Sequence, residues 1–217
     1  MYRRVFRGMI ERGKTSEFLI AMRSNIEHQD ERGIRARTAI WAAMTGQTNE
    51  VFIATDFNTL DDLERYTELA AKDSSFADVR RAVRSLMVYH GSSVLIQRLS
   101  FHSEGLISAE EATAPRHFRR TLSGETLPGM QRQFVHSIAQ ALEFQRQRGV
   151  DATTSVWTSL TGSTNAISID AEFDTLGELQ KFDDMAATDS DFAALRRATR
   201  EAMEFHTTSV QLLRNLA

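Results

Sequence analysis

At 217 residues, with 41% hydrophobic and 25% charged, the chain is long enough for one large domain or two small ones and has the make-up of a soluble globular protein. A formal net charge of −3 offers no basic field to nucleic acid or an anionic membrane. The lack of cysteine excludes disulfides, thiolate nucleophiles and cysteine-based metal centres, and no apolar run has the length of a signal-peptide core or a membrane span, so a cytoplasmic protein is expected.

The opening YRRVFRGMI alternates as a short strand. A helix is expected from about Ser16, with Phe18, Leu19, Met22 and Ile26 at helical spacing, and it ends before Gly33, where a C′ glycine belongs. Residues 41–57, WAAMTGQTNEVFIATDF, read as a hairpin. Gly46 suits positive φ there, and Asn49 closes the turn. Thr59 opens the next helix with the form of a capping box, and Asp73 in KDSSF can cap a second segment after a break. SSVLIQRLSF is a fourth strand, with His90 at its opening. HSEGLISAEEATAPRH, residues 102–117, breaks the pattern and reads as a linker, with a short helix over 108–112.

The same series then begins again. Trp41 and Trp157, Gly33 and Gly149, Phe57 and Phe173, Asp73 and Asp189, His90 and His206 each stand 116 positions apart, and no gap is needed from Arg3 to Arg98. The unit is too long for a solenoid repeat, so each copy is domain-sized: residues 1–101 and 118–217. Each reads β-α-β-β-α-β, which gives a four-stranded antiparallel sheet with its helices on one face, the ferredoxin-like arrangement. The uncovered face is unstable in water on so small a unit. Two copies can cover each other, so an α+β fold of two tandem ferredoxin-like repeats is expected, forming a pseudo-dimeric α+β barrel.

With TG.TN, EFDTL.EL and D.DFA.LRR spread over Thr161 to Arg197 in such a unit, the chain resembles the dimeric α+β-barrel superfamily. That group includes antibiotic-biosynthesis-monooxygenase-like, NIPSNAP-like, EthD-like and stress-responsive barrel domains. The resemblance covers both copies. It implies the fold, and for function a range from cofactor-free oxygenases and isomerases through haem enzymes to non-catalytic binders.

Comparing the copies separates the two faces of each sheet. Ala36/Ala152, Thr38/Thr154, Ile40/Val156 and Met44/Leu160 match or swap conservatively, as a core beneath helices demands. The alternate positions Arg37/Thr153, Ala39/Ser155 and Ala43/Ser159 diverge around the retained Trp41/Trp157, which suits a cavity lining. Arg3, Arg7, Arg119, Asp56, Asp170 and Glu172 join that interior face. The ligand-binding candidates are therefore Trp41, Trp157, Arg37, Arg3, Arg119 and Asp56. The catalytic candidates are Asp170, Glu172, His90 and His206.

Each has a plainer reading. The tryptophans stack on a flat ligand or simply fill the core. The carboxylates move protons or pair with interior arginines. The histidines act as bases or haem ligands, or hydrogen-bond a loop. Arg80–Arg84 and Arg196–Arg200 read as a solvated helix face pairing with nearby acids. No metal is expected, and no cofactor, with haem on His90 or His206 as the alternative. The functions in view are a cofactor-independent monooxygenase-like or isomerase-like enzyme acting on a small, flat, amphipathic molecule, a non-catalytic small-molecule binder, and a filled interaction barrel. The expected partner is a small-molecule ligand, not nucleic acid or membrane, and the outer edges leave a homodimer open.

Overall fold

The computed structural model describes residues 1–105, 108–109 and 114–216, without the side chains of residues 89–92 and 205–207. The first half contains β1 (Tyr2–Ile10), α1 (Thr15–Glu31), β2 (Ala36–Ala43), β3 (Glu50–Phe57), α2 (Leu60–Lys72), α3 (Ser74–Ser85) and β4 (Met87–His102). The second half repeats the series as β5 (Phe118–Thr126), α4 (Gln131–Gln147), β6 (Thr153–Ser159), β7 (Ala166–Phe173), α5 (Leu176–Thr188), α6 (Ser190–Glu201) and β8 (Met203–Asn215). Followed through its hydrogen bonds, the strand order is β1-β3-β2-β8-β5-β7-β6-β4 and closes as a barrel. This is the α+β, ferredoxin-like dimeric-barrel fold expected from the sequence.

Two compact units make up the chain: Met1–Ile96 with Ile107–Thr113 and Asn215–Ala217, and Gln97–Leu106 with Ala114–Arg214. Each takes a strand end from the other half of the sequence. In the second unit, Gln97–His102 of β4 pairs antiparallel with β6. In the first, the Leu216 N–H donates to the Ile40 carbonyl at 2.9 Å.

Local chemistry explains the element ends. Gly33 and Gly149 follow α1 and α4 at φ of 66° and 72°, where a β-carbon would be strained. Asp73 separates α2 from α3, and its carboxylate accepts from the Phe76 N–H at 3.0 Å; Asp189 does the same for Phe192 at 3.1 Å. Thr59 and Asp62 close a complete capping box. In the second unit only half of that box forms. Thr175 accepts from the Glu178 N–H, but the Glu178 carboxylate takes Lys181 and the Asp151 N–H instead.

Two expectations shift at strand ends. His90 and His206 fall inside β4 and β8, since both strands begin at a methionine directly after the helix C-cap, Leu86 or Ala202. Met44 and Leu160 are exposed, because β2 and β6 end one residue before them. The helix expected over 108–112 lies mostly outside the described residues, and Ser108 and Ala109 are not helical.

Helix-facing side chains build the core of each unit. In the first, Phe18 and Met22 pack on Ile40, Val51 and Ile53, and beside them Phe57, Tyr66 and Phe76 form a second cluster. Phe134 and Ile138 pack on Val156 and Ile167 in the second, with Phe173, Phe182 and Phe192 as the aromatic neighbours. Tyr66–Phe76 and Phe182–Phe192 meet edge to face, with centroids 5.9 and 6.0 Å apart, a geometry that adds about 0.5–1.5 kcal/mol beyond area burial. Among the described residues, no helix is long and apolar enough to cross a membrane.

Several carboxylates are held below their ordinary range. The Arg32 hydrogen bond, at 2.5 Å, is the main cause for Asp73, followed by Ser75 and the Phe76 N–H. Arg116 does the same for Asp151, and Lys181 for Glu178. Their stabilising effect is complete above the unfolded-state value near pH ~4 and is lost as the pH falls through the lower folded-state values. The thermal midpoint should therefore be level from pH 7 to about 5 and drop steadily below about 4. Asp73→Asn keeps the cap oxygen but loses the charge, so it should melt lower at pH 7 and lose less between pH 5 and 3, as read by circular dichroism.

Candidate functional site

On the sheet face away from the helices, arginines and carboxylates meet one another. In the first unit, β1, β3 and β2 align Arg3, Asp56 and Arg37 in one row. Arg3 grips Asp56 through Nε at 2.6 Å and Nη2 at 2.9 Å, with both side chains buried. Trp41 is fully buried on the same face. In the second unit, Arg119 reaches Glu172 at 2.6 Å and Asp170 at 3.5 Å. Asp170 also accepts from the Thr121 hydroxyl at 2.8 Å, and the buried Trp157 donates to Ser155 at 2.8 Å. The side chains of His90 and His206 lie outside the described ones. None of the other eight expected site residues lines either of the two cavities described next.

Those cavities lie on the opposite, helix-facing side, one in each unit, at positions 116 apart. The second unit holds about 450 Å³, within the ~300–1,000 Å³ of small-ligand sites. The first holds about 70 Å³, room for roughly two waters at ~30 Å³ each. Side chains account for the difference. In the first unit Thr38 and Thr55 share a hydrogen bond at 3.2 Å, and Gln29 donates to Asn25 at 2.6 Å. The second unit keeps Thr154 and Gln145 but has Ala171 and Ala141 where their partners would be. Phe182 also replaces Tyr66. Volume is removed and two polar side chains lose their partners together. Thr154 is 1% exposed, and its Oγ1 has no hydrogen-bond partner among the described residues. A buried hydroxyl left unpaired costs about 1–3 kcal/mol.

Three arginines line the same cavity: Arg120 from β5, and Arg196 and Arg200, one turn apart on α6. Among the described residues none of the three has a carboxylate within ion-pairing distance. Burial pulls the Arg120 guanidinium below its ordinary value; Asp183 opposes this, and the charge of Arg196 adds to it. Arg196 is lowered first by burial and then by Arg200. All three remain cations at neutral pH. Arg120 stands 5.2 Å from the centroid of Phe182, while Phe192, Leu142 and Ile169 supply apolar wall. Guanidinium groups in apolar surroundings attract carboxylates, phenolates and enolates.

The described lining contains no Asp, Glu or His, and so no general base. Its one iron-ligating atom is the Met203 sulfur, whereas haem needs an axial set of the kind His, Cys, Tyr or His with Met supplies. These residues do not fit haem. No group of three or more His, Asp or Glu side chains that could hold a metal occurs among the described residues.

The sequence reading placed Arg196 and Arg200 on a solvated face. Neither makes the expected ion pair, whereas Arg81 does pair with Asp78, at 2.6 Å. Arg120, Thr154 and Gln145 were not singled out as site residues. The signal was the unequal pairs Thr55/Ala171 and Asn25/Ala141 beside the unchanged Thr38/Thr154 and Gln29/Gln145.

No protein-family model and no curated protein matches the chain. Solved structures do match in fold. A "putative monooxygenase" from Fusobacterium nucleatum superposes with a TM-score of 0.69 at 10% identity, covering 100% of this chain and 92% of that one. One of the same description from Lactobacillus acidophilus gives 0.69 and 10%, covering 99% and 93%. An "anthrone oxidase-like protein" gives 0.63 and 10%, covering 100% and 91%. At such identities the likeness is one of fold.

Two stability measurements check this division of the sheet. Arg3→Met strands a buried carboxylate and should cost about 3–5 kcal/mol in urea unfolding, whereas Arg3→Met with Asp56→Leu should recover most of it. Thr154→Val removes an unpaired hydroxyl and should add about 1 kcal/mol, while Thr38→Val breaks a formed pair and should lose about as much.

Proposed function

We propose that this protein binds a small organic anion with a flat apolar body in the helix–sheet cavity of its second unit. The observation that carries this reading is three arginines, without ion pairs among the described residues, around a 450 Å³ apolar cavity. The equivalent space in the first unit is nearly closed, so one ligand per chain is the expected stoichiometry. The anionic head belongs with Arg120, Arg196 and Arg200, and the body with Phe182, Phe192 and Leu142.

A second reading adds oxidation in the same cavity. The clustered guanidinium groups favour the anion of a phenol or of a carbon acid such as an anthrone, and such anions can reduce oxygen without a cofactor. The fold shared with proteins described as monooxygenases and as anthrone oxidase-like agrees with this. Isomerase-type proton transfer is less suited, since no described lining residue is a base.

Calorimetric titration with 2-naphthoate and with its methyl ester tests the first reading. The acid should bind one per chain and at least about tenfold more tightly than the ester, the worth of one charge-assisted contact. Ala141→Asn with Ala171→Thr, which rebuilds the first unit's lining, should abolish binding. Equal binding of acid and ester, or full binding in the filled variant, would sink it. Under the second reading, anthrone should be converted to anthraquinone and water with one O₂ consumed per molecule, and Arg120→Met should slow the uptake.

A further inference from the structure

The ligand's second polar group can be read from the row of residues across the cavity floor. Strand register aligns Arg120 of β5, Ala171 of β7 and Thr154 of β6 on the helix-facing side, each one strand from the next. The same row in the first unit is Arg4, Thr55 and Thr38, and there the middle residue supplies the hydroxyl that Thr38 pairs with. Ala171 leaves that hydroxyl out. The space differs from the first unit's by the hydroxyl and methyl of one threonine, and the Thr154 hydroxyl borders it. Gln145, whose equivalent Gln29 is satisfied by Asn25, likewise has no side-chain partner among the described residues.

Two separate pairs have each lost one member to alanine, on different elements, and both survivors line one cavity. A cavity selected only for apolar bodies would favour Val and Leu at these two positions, because an unpaired buried polar group is costly.

We propose that Thr154 and Gln145, over Ala171, bind a hydroxyl or carbonyl oxygen of the ligand, while Arg120, Arg196 and Arg200 hold its acid group. The ligand class is thus an aromatic acid that also bears a hydroxyl or oxo substituent on its ring system. This rests on the reading of the cavity as an anion site and narrows it. Thr154 and Gln145 act as specificity-determining residues: they recognise the substituent and contribute nothing to binding of an acid that lacks it.

The test compares 2-naphthoate with its 5-, 6- and 7-hydroxy derivatives by calorimetry on the full chain and on Thr154→Val, Gln145→Leu and Ala171→Ser. At least one hydroxy isomer should bind about tenfold more tightly than 2-naphthoate, the worth of one hydrogen bond made in a dry site. Each variant should erase that preference, so that the hydroxy isomer binds it no more tightly than 2-naphthoate does. Ala171→Ser, which refills the recess with an internal hydroxyl, keeps the question answerable should one of the others fail to fold. If 2-naphthoate binds but no isomer gains, or the gain survives in all three variants, the substituent site is refuted and the anion site stands. If no acid binds at all, the reading of the cavity itself has failed and this inference falls with it.

Discussion

Successive residues of a β-strand must point to opposite faces of the sheet, and the chemistry of this protein is sorted by that constraint. Arg119 and Arg120 are neighbours in sequence with opposite fates. Arg119 is buried between Glu172 and Asp170, its charge matched on the face away from the helices. Arg120 turns toward the helices, where it meets the ring of Phe182 and no described carboxylate. Arg3 and Arg4 repeat the division in the first unit, with Arg3 on Asp56 and Arg4 5.8 Å from the Tyr66 ring. A one-residue slip of β5 would turn every one of its side chains to the other face.

The recurring element series lets one unit serve as the reference for the other. Both units keep the helix-facing clusters, the helix break at Asp73 or Asp189, and the arginine on the second residue of the first strand's charged pair. They differ where polar side chains face the space between helices and sheet. In the first unit those groups satisfy one another, so its small cavity offers a ligand nothing that the protein has not already supplied. In the second, alanines at positions 141 and 171 leave acceptors, donors and volume in one place. The asymmetry belongs to a handful of side chains on a shared backbone plan, which is how one fold carries unrelated activities.

The architecture was legible because it rests on patterns of long reach. The 116-residue offset, strand alternation, the glycines after α1 and α4 and the capping aspartates each constrain many residues at once. The alternation also separated the two faces correctly, with Thr38/Thr154 and Ile40/Val156 beneath the helices. What the sequence did not convey was the unequal pair of cavities on the helix-facing side. Conspicuous charges and tryptophans drew attention to the face where Arg3, Asp56, Arg119, Asp170 and Glu172 turn out to satisfy each other. An ion pair and an active-site constellation contain the same residue types, and only distance tells them apart. The cavity, by contrast, is marked by alanines, which carry no chemistry of their own. Arg200 is exposed and Arg196 half-buried, as a solvated helix face implies, but spacing along a helix says nothing of the hollow that both border.

The second unit holds groups in tension: a buried hydroxyl without a hydrogen-bond partner among the described residues, and the Arg120 and Arg196 guanidinium groups, each lowered chiefly by burial. Each is an unfavourable term that the first unit largely avoids. A ligand that supplies an anionic head and a hydrogen-bonding oxygen removes these terms on binding, so part of its affinity comes from relieving the protein and part from its own contacts. Occupancy at a hundred times the dissociation constant adds about 2.7 kcal/mol to the folded state, comparable to the penalty of the orphaned groups. The same physics makes the site selective. A purely apolar molecule fills the volume but leaves the Thr154 hydroxyl unpaired, so the group that costs the second unit stability also acts against the wrong ligand.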